Sequence, residues 1–140
     1  MNTIDIIYAE QKGFLSPQYQ IIVDGVLLND FLNGKTNSND FDLLVPPVGL
    51  MIEQEQRKIL ELLDWRNVVL PLLVCSDDMD FSCIIVSAFV TEKKNQTVWE
   101  RWGYGLDMSK TIFCPKLAFD RREYKKFVSK FKCFIEDSLC

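Results

Sequence analysis

Histidine is absent from this chain. The side chain that most often moves a proton near neutral pH is therefore missing, and with it every Ser-His and Cys-His nucleophile pair. Glycine is scarce and scattered, six residues with no phosphate-cradling G-x-x-x-x-G-K run. The five cysteines (75, 83, 114, 133 and 140) contain no C-x-x-C pair, and without imidazole the mixed Cys-His zinc sets are excluded. Long apolar runs are also missing. The longest, VVLPLLVC (68–75), is far short of the roughly 20 residues that span a bilayer. The opening MNTIDIIYAEQ lacks the cationic start and apolar core of an export signal. An odd cysteine count without that signal leads us to expect reduced thiols in a cytoplasmic protein, Cys133 and Cys140 being the most exposed.

What is present is enough apolar sequence, 48% of 140 residues, to bury one core without help from disulfides or metal, so a single domain over 1–140 is expected. The net charge of −4 is unevenly spread. Residues 1–90 carry 13 acids and 5 bases, a net −8, whereas residues 91–140 carry 7 acids and 11 bases, a net +4. Most of the bases sit on one C-terminal segment, and a pI near 4.8 argues against nucleic acid as the partner.

TIDIIYAE (3–10) reads as a first strand, and YQIIVDGVLL (19–28) as a hairpin, because Asp24-Gly25 tolerates the positive φ of a primed two-residue turn. NGKTNSND (33–40) reads as a polar loop. Ile52, Ile59, Leu60, Leu62 and Leu63 recur at helical spacing over 49–65, with acids early and bases later. Strands follow at 67–75, 82–90 and 97–105, with a short one at 111–114, and Pro71 marks the first as an edge or a bulge. Asp120 is a good N-cap for a helix whose stripe runs Tyr124, Phe127, Val128, Phe131, Phe134, Ile135, Leu139. Glu123–Lys126 and Lys132–Glu136 are its expected local pairs. The fold class is α+β: an antiparallel sheet of about five to six strands with the C-terminal amphipathic helix and a second helix packed on it.

Two constellations could carry function. VCSDDMDFSC sets Asp77, Asp78 and Asp80 between Cys75 and Cys83. Calcium loops need a glycine and a distal glutamate that this stretch lacks, and zinc prefers closer thiols with histidine, so no metal or cofactor is expected. Like charges crowded on a connection suit a loop that meets a cationic surface. Asp40 and Asp42 offer a second acidic pair. Neighbouring carboxylates are usually a solvated face and assign no catalytic roles, so no enzyme is expected. VWERWGYGLD (98–107) supplies Trp102 and Tyr104 as candidate interface anchors. Strict alternation places Trp99 and Trp102 on opposite faces of their strand, one of them under a covering layer.

The stretch LPLLVCSDDMDFSCIIVSAFVTEKKNQTVWERWG (70–103) resembles a strand and cysteine pattern of small bacterial proteins, some of them immunity proteins of polymorphic toxin and contact-dependent growth inhibition systems. The resemblance implies a cytosolic, non-catalytic, acidic domain that neutralises a basic toxin, commonly a nuclease. Relatives often have glycines and further cysteines where Asp77, Asp78 and Asp80 stand, so it implies no residue roles. The expected partner is a cationic toxin domain met by Asp77, Asp78, Asp80, Asp40, Asp42, Trp102 and Tyr104, with neither membrane nor nucleic acid involved and the chain a monomer or weak dimer. The alternative is a structural or regulatory domain that self-associates, or joins a larger complex, through the strand at Pro71 or the aromatic strand.

Overall fold

In a computed structural model, which describes residues 1–137, the β-branched and aromatic runs form strands, as their shape on a pleated surface favours. β5 (Val68–Cys75), β6 (Ile85–Lys93) and β7 (Gln96–Tyr104) make an antiparallel meander. β4 (Leu44–Val45) pairs with the end of β5, while β8 (Lys110–Ile112) and β9 (Leu117–Asp120) lie in turn along the free side of β7, completing a six-stranded sheet. Pro71 sits at an irregularity between Pro71 and Leu73, on a part of β5 that β4 does not reach.

The N-terminal strands build a sheet of their own from β1 (Ile4–Ala9), β2 (Gln18–Val23) and β3 (Val26–Leu27). The expected turn joins β2 to β3, with Asp24 at φ 53° and Gly25 at φ 78°. The Asp24 carboxylate accepts hydrogen bonds from Thr3 N and Asn2 Nδ2, both at 2.7 Å, which hold its pKa below the ordinary value. Asn2 also bonds Ala118 of β9 and so ties the two sheets together.

Three helices complete the α+β fold: α1 (Leu28–Thr36), α2 (Glu53–Asp64) and α3 (Arg121–Ile135). α1 takes up residues 33–36 of the expected polar loop. It has no side-chain cap at its start, and its apolar signal is short. Tertiary contacts hold it instead: Leu28 and Leu32 are fully buried, and Asn29 Nδ2 donates to the carbonyls of Phe41 (2.7 Å) and Leu44 (2.8 Å).

α3 begins as expected, the Asp120 carboxylate accepting from Arg122 N at 2.9 Å and Glu123 N at 3.2 Å. Its buried stripe is Tyr124, Phe127, Val128, Phe131 and Ile135, each contributing about 1.5–3 kcal/mol by burial. Leu139 lies outside the described residues. The helix packs against both sheets, with the Tyr124 ring 6.3 Å from Trp99 on one side and Phe134 5.0 Å from Tyr19 on the other. Glu123–Lys126 forms at 3.1 Å. Lys132 instead reaches across to Asp64 at the end of α2 (2.6 Å), a contact that no local spacing reveals.

Trp99 and Trp102 do not lie on opposite faces. Trp99 pairs with Val90 and Trp102 with Ala88, two residues apart on β6 and therefore on one face. The register shift between Phe89 and Val90 gives β7 one extra residue, which resets the alternation. Both indoles enter the core, 5.4 Å apart and edge to face, with Trp99 against Tyr124 and Phe127 of α3.

Candidate functional site

The strand register decides which connections share an end of the large sheet. Leu44 lies opposite Cys75, Val74 opposite Ile85, Val86 opposite Tyr104, and Tyr104 opposite Lys110. The segments 40–43, 76–84 and 105–109 therefore leave from the same end. They bring together Asp40, Asp42, Asp77, Asp78, Asp80 and Asp107. Among the described residues none of these six carboxylates forms an ion pair. Toward the opposite end several bases are partnered: Arg121 with Glu92 at 2.6 Å, Arg66 with Glu92 at 3.9 Å, and Lys93 with Glu100 at 3.2 Å.

Residues 76–84 are held firmly. Cys75 and Cys83 form a disulfide across the base of the loop. This corrects the expectation of reduced thiols: the pair is brought together by the turn between two paired strands. Cys133 is half-buried and also disulfide-bonded, against the expectation of exposure. Cys140 lies outside the described residues, and Cys114 is the free thiol among those described. Within the loop Met79 N donates to Cys75 O at 3.1 Å, and Met51 N donates to Met79 O at 2.9 Å. Glu55 Oε1 of α2 accepts from Phe81 N at 3.0 Å.

The three loop aspartates are not equivalent. Asp80 accepts from the Ser82 hydroxyl and from Ser82 N, which together lower its pKa and make it a brace of the turn. Asp77 and Asp78 are exposed and accept no hydrogen bond within the described residues. In the segment from α1 to β4, Asp42 Oδ1 accepts from Asn33 Nδ2 at 2.8 Å, and Asp40 is exposed. Asp40 lies near the half-buried Tyr104, whose ring stacks parallel to Phe41 at 6.2 Å. Burial, and secondarily the Asp40 charge, raise the pKa of the Tyr104 phenol.

Trp102 is not part of this surface. It is 1% exposed, and its Nε1 donates to Pro115 O at 3.0 Å, so it serves the core. In its place each acidic segment carries an exposed aliphatic side chain: Leu43, Ile84 and Leu106. Asp107, whose carboxylate accepts from Ser109 N at 3.1 Å, was not singled out in the sequence. A usable signal was there, since in a meander every second connection returns to the same end. Acids interleaved with exposed aliphatics can engage a surface that is cationic and partly apolar.

A cleft between residues 11–13 and 27–43 adjoins this rim, sharing Asp42 and Leu43 with it, and is lined further by Asp30, Lys12, Asn29 and Asn33. Asn29 and Asn33 are spent on local hydrogen bonds.

No protein-family model, curated protein or solved structure matches the chain. Among the described residues no helix is long and apolar enough to cross a membrane.

Proposed function

We propose that this chain is a non-catalytic binding protein of the immunity type, acting in the cytoplasm by covering a basic toxin domain, such as a nuclease, at its active site or substrate entry. The observation that carries the proposal is the set of six carboxylates without ion pairs at one end of the large sheet. The excess of negative charge on that rim, six carboxylates against Lys110 and the nearby Lys35, steers a cationic partner toward it and fixes the docking register. Leu43, Ile84 and Leu106 supply apolar area that gains from burial once contact is made. The bonds of the turn to Cys75 O, Met51 and Glu55, which do not depend on the bridge being closed, preorganise Asp77 and Asp78 and reduce the ordering cost of binding.

The test first asks whether a basic domain encoded by a neighbouring gene co-purifies with this chain, then follows their association by stopped-flow fluorescence at several salt concentrations. Asp77→Asn with Asp78→Asn should slow association about tenfold at low salt and flatten its salt dependence. Asp80→Asn is left out because that side chain braces the turn. An association rate that ignores both the double change and the salt concentration would remove the rim from the contact.

A further inference from the structure

The acidic turn brings together a second group of atoms, which shares Asp78 with the proposed contact. Cys75 Sγ, Cys83 Sγ and a carboxylate oxygen of Asp78 all lie within 4.8 Å of one another. Ligand atoms sit roughly 2.0–2.3 Å from a zinc ion, so two of them are at most about 4.6 Å apart. The three donors are thus within a small side-chain rotation of one coordination sphere. The separation of the thiols along the chain, which argued against zinc in the sequence, is closed in space by the turn.

Three features of the turn favour a metal here once the bridge is opened. The Cα atoms of Cys75 and Cys83 are 6.2 Å apart, in the wider part of the range a disulfide spans, so freed sulfurs can move apart without the backbone shifting. Ile84 N donates to Cys75 Sγ at 3.3 Å. A donor of that kind stabilises a thiolate over a thiol and orients a ligand sulfur. Asp78 is also flanked by ties that do not depend on the bridge: Met79 N to Cys75 O, Met51 N to Met79 O, and Phe81 N to Glu55 Oε1. Asp80 is engaged by Ser82 and stays outside the set.

We propose that Cys75, Asp78 and Cys83 form a redox-gated site for a zinc-type divalent ion, closed to metal as the disulfide and open to it when reduced. Two thiolates select a borderline-soft ion over magnesium or calcium, and the fourth tetrahedral position is left to water. A dithiol reductant supplies two electrons and two protons. The Sγ–Sγ bond breaks, two thiols form, and the reductant closes to its own disulfide. The ion then displaces one proton from each thiol to solvent, forming two sulfur–metal bonds and one bond to an Asp78 oxygen.

The probe is Co²⁺ alone, added to the full chain after dithiothreitol reduction and anaerobic desalting. Cys114→Ser, Cys133→Ser and Cys140→Ser confine the thiols to the pair in question. One equivalent of Co²⁺ should bind with sulfur-to-cobalt charge-transfer absorption in the reduced protein only, and one equivalent of Zn²⁺ should displace it. Asp78→Asn should weaken binding by more than about a hundredfold, beyond what an outer-shell change commonly costs. Absence of the charge-transfer band after reduction, or an Asp78→Asn affinity equal to the parent's, overturns the proposal. If the triple background does not fold, the same titration compares the otherwise unaltered chain with its Cys75→Ser variant, and equal stoichiometry in the two overturns it. No partner protein is involved, so the result stands apart from the proposed toxin contact.

Discussion

The hydroxyl of Tyr124 is a single atom on which the core packing can be tested. It accepts the Trp99 Nε1 hydrogen at 3.1 Å in a site where Tyr124 is 1% exposed and Trp99 fully buried. Tyr124→Phe keeps the ring against Trp99, Phe119 and Phe127 but leaves the indole N–H without its acceptor. A buried donor stranded in this way costs about 1–3 kcal/mol. At 140 residues each kcal/mol shifts Tm by about 3–4 °C, so a fall of about 3–10 °C is expected, with a matching loss in urea unfolding. In a Trp99→Phe background the same change should cost at least about 1 kcal/mol less, because no donor remains to be stranded. The phenol adds a pH signature. Burial pushes its pKa up to about 12, against the smaller lowering effects of the Trp99 bond and Arg66. In the unfolded chain it titrates near 10. Between those values the unfolded state has lost a proton that the native state keeps. This contribution to stability is therefore complete below about pH 10 and declines toward pH 12, by up to about 1.4 kcal/mol per pH unit. The phenylalanine variant should lack that part of the alkaline decline. A Tyr124→Phe protein within about 0.5 kcal/mol of the parent, with an unchanged alkaline limb, would refute the reasoning.

Three further outcomes follow from local geometry and burial. Gly103→Ala would place a Cβ 2.8 Å from Met108 Cβ and 3.1 Å from Lys110 O, so thermal melting should show a loss of about 1–3 kcal/mol. Gly34→Ala, with open space around it in α1, should gain about 0.5–1 kcal/mol in the same assay. Burial raises the Cys114 thiol to about 11, with Lys35 opposing, so alkylation near pH 8 should run about a hundredfold slower in the native protein than after unfolding. Equal rates in the two states would contradict that burial.

The parts legible along the chain are those whose signal is local. The Asp24-Gly25 turn, the Asp120 cap with its apolar stripe, α2 and the strands of the meander each state their structure within a dozen residues. α1 was hidden because its few apolar residues are stabilised by Asn29 and the Phe41–Leu44 segment, contacts that arise only on folding. The candidate site was half legible. Asp40, Asp42, Asp77, Asp78 and Asp80 could be read as loop charges and Tyr104 as a candidate interface aromatic, but the placement of Tyr104 beside Asp40 could not be read. Trp102 was misplaced because one extra residue in β7 turned it inward.

The sequence by itself determined the α+β class, the elements of the meander, the acidic character of the connections and the absence of imidazole chemistry. These follow from periodicity, capping and composition, none of which requires knowing what lies opposite. Only the tertiary structure decided that the N-terminal hairpin builds its own sheet, that Cys75 meets Cys83, and that Asp107 joins the other acids at one rim. Strand register and bulges act between residues far apart in the chain, and a single inserted residue reverses the face of every side chain that follows it.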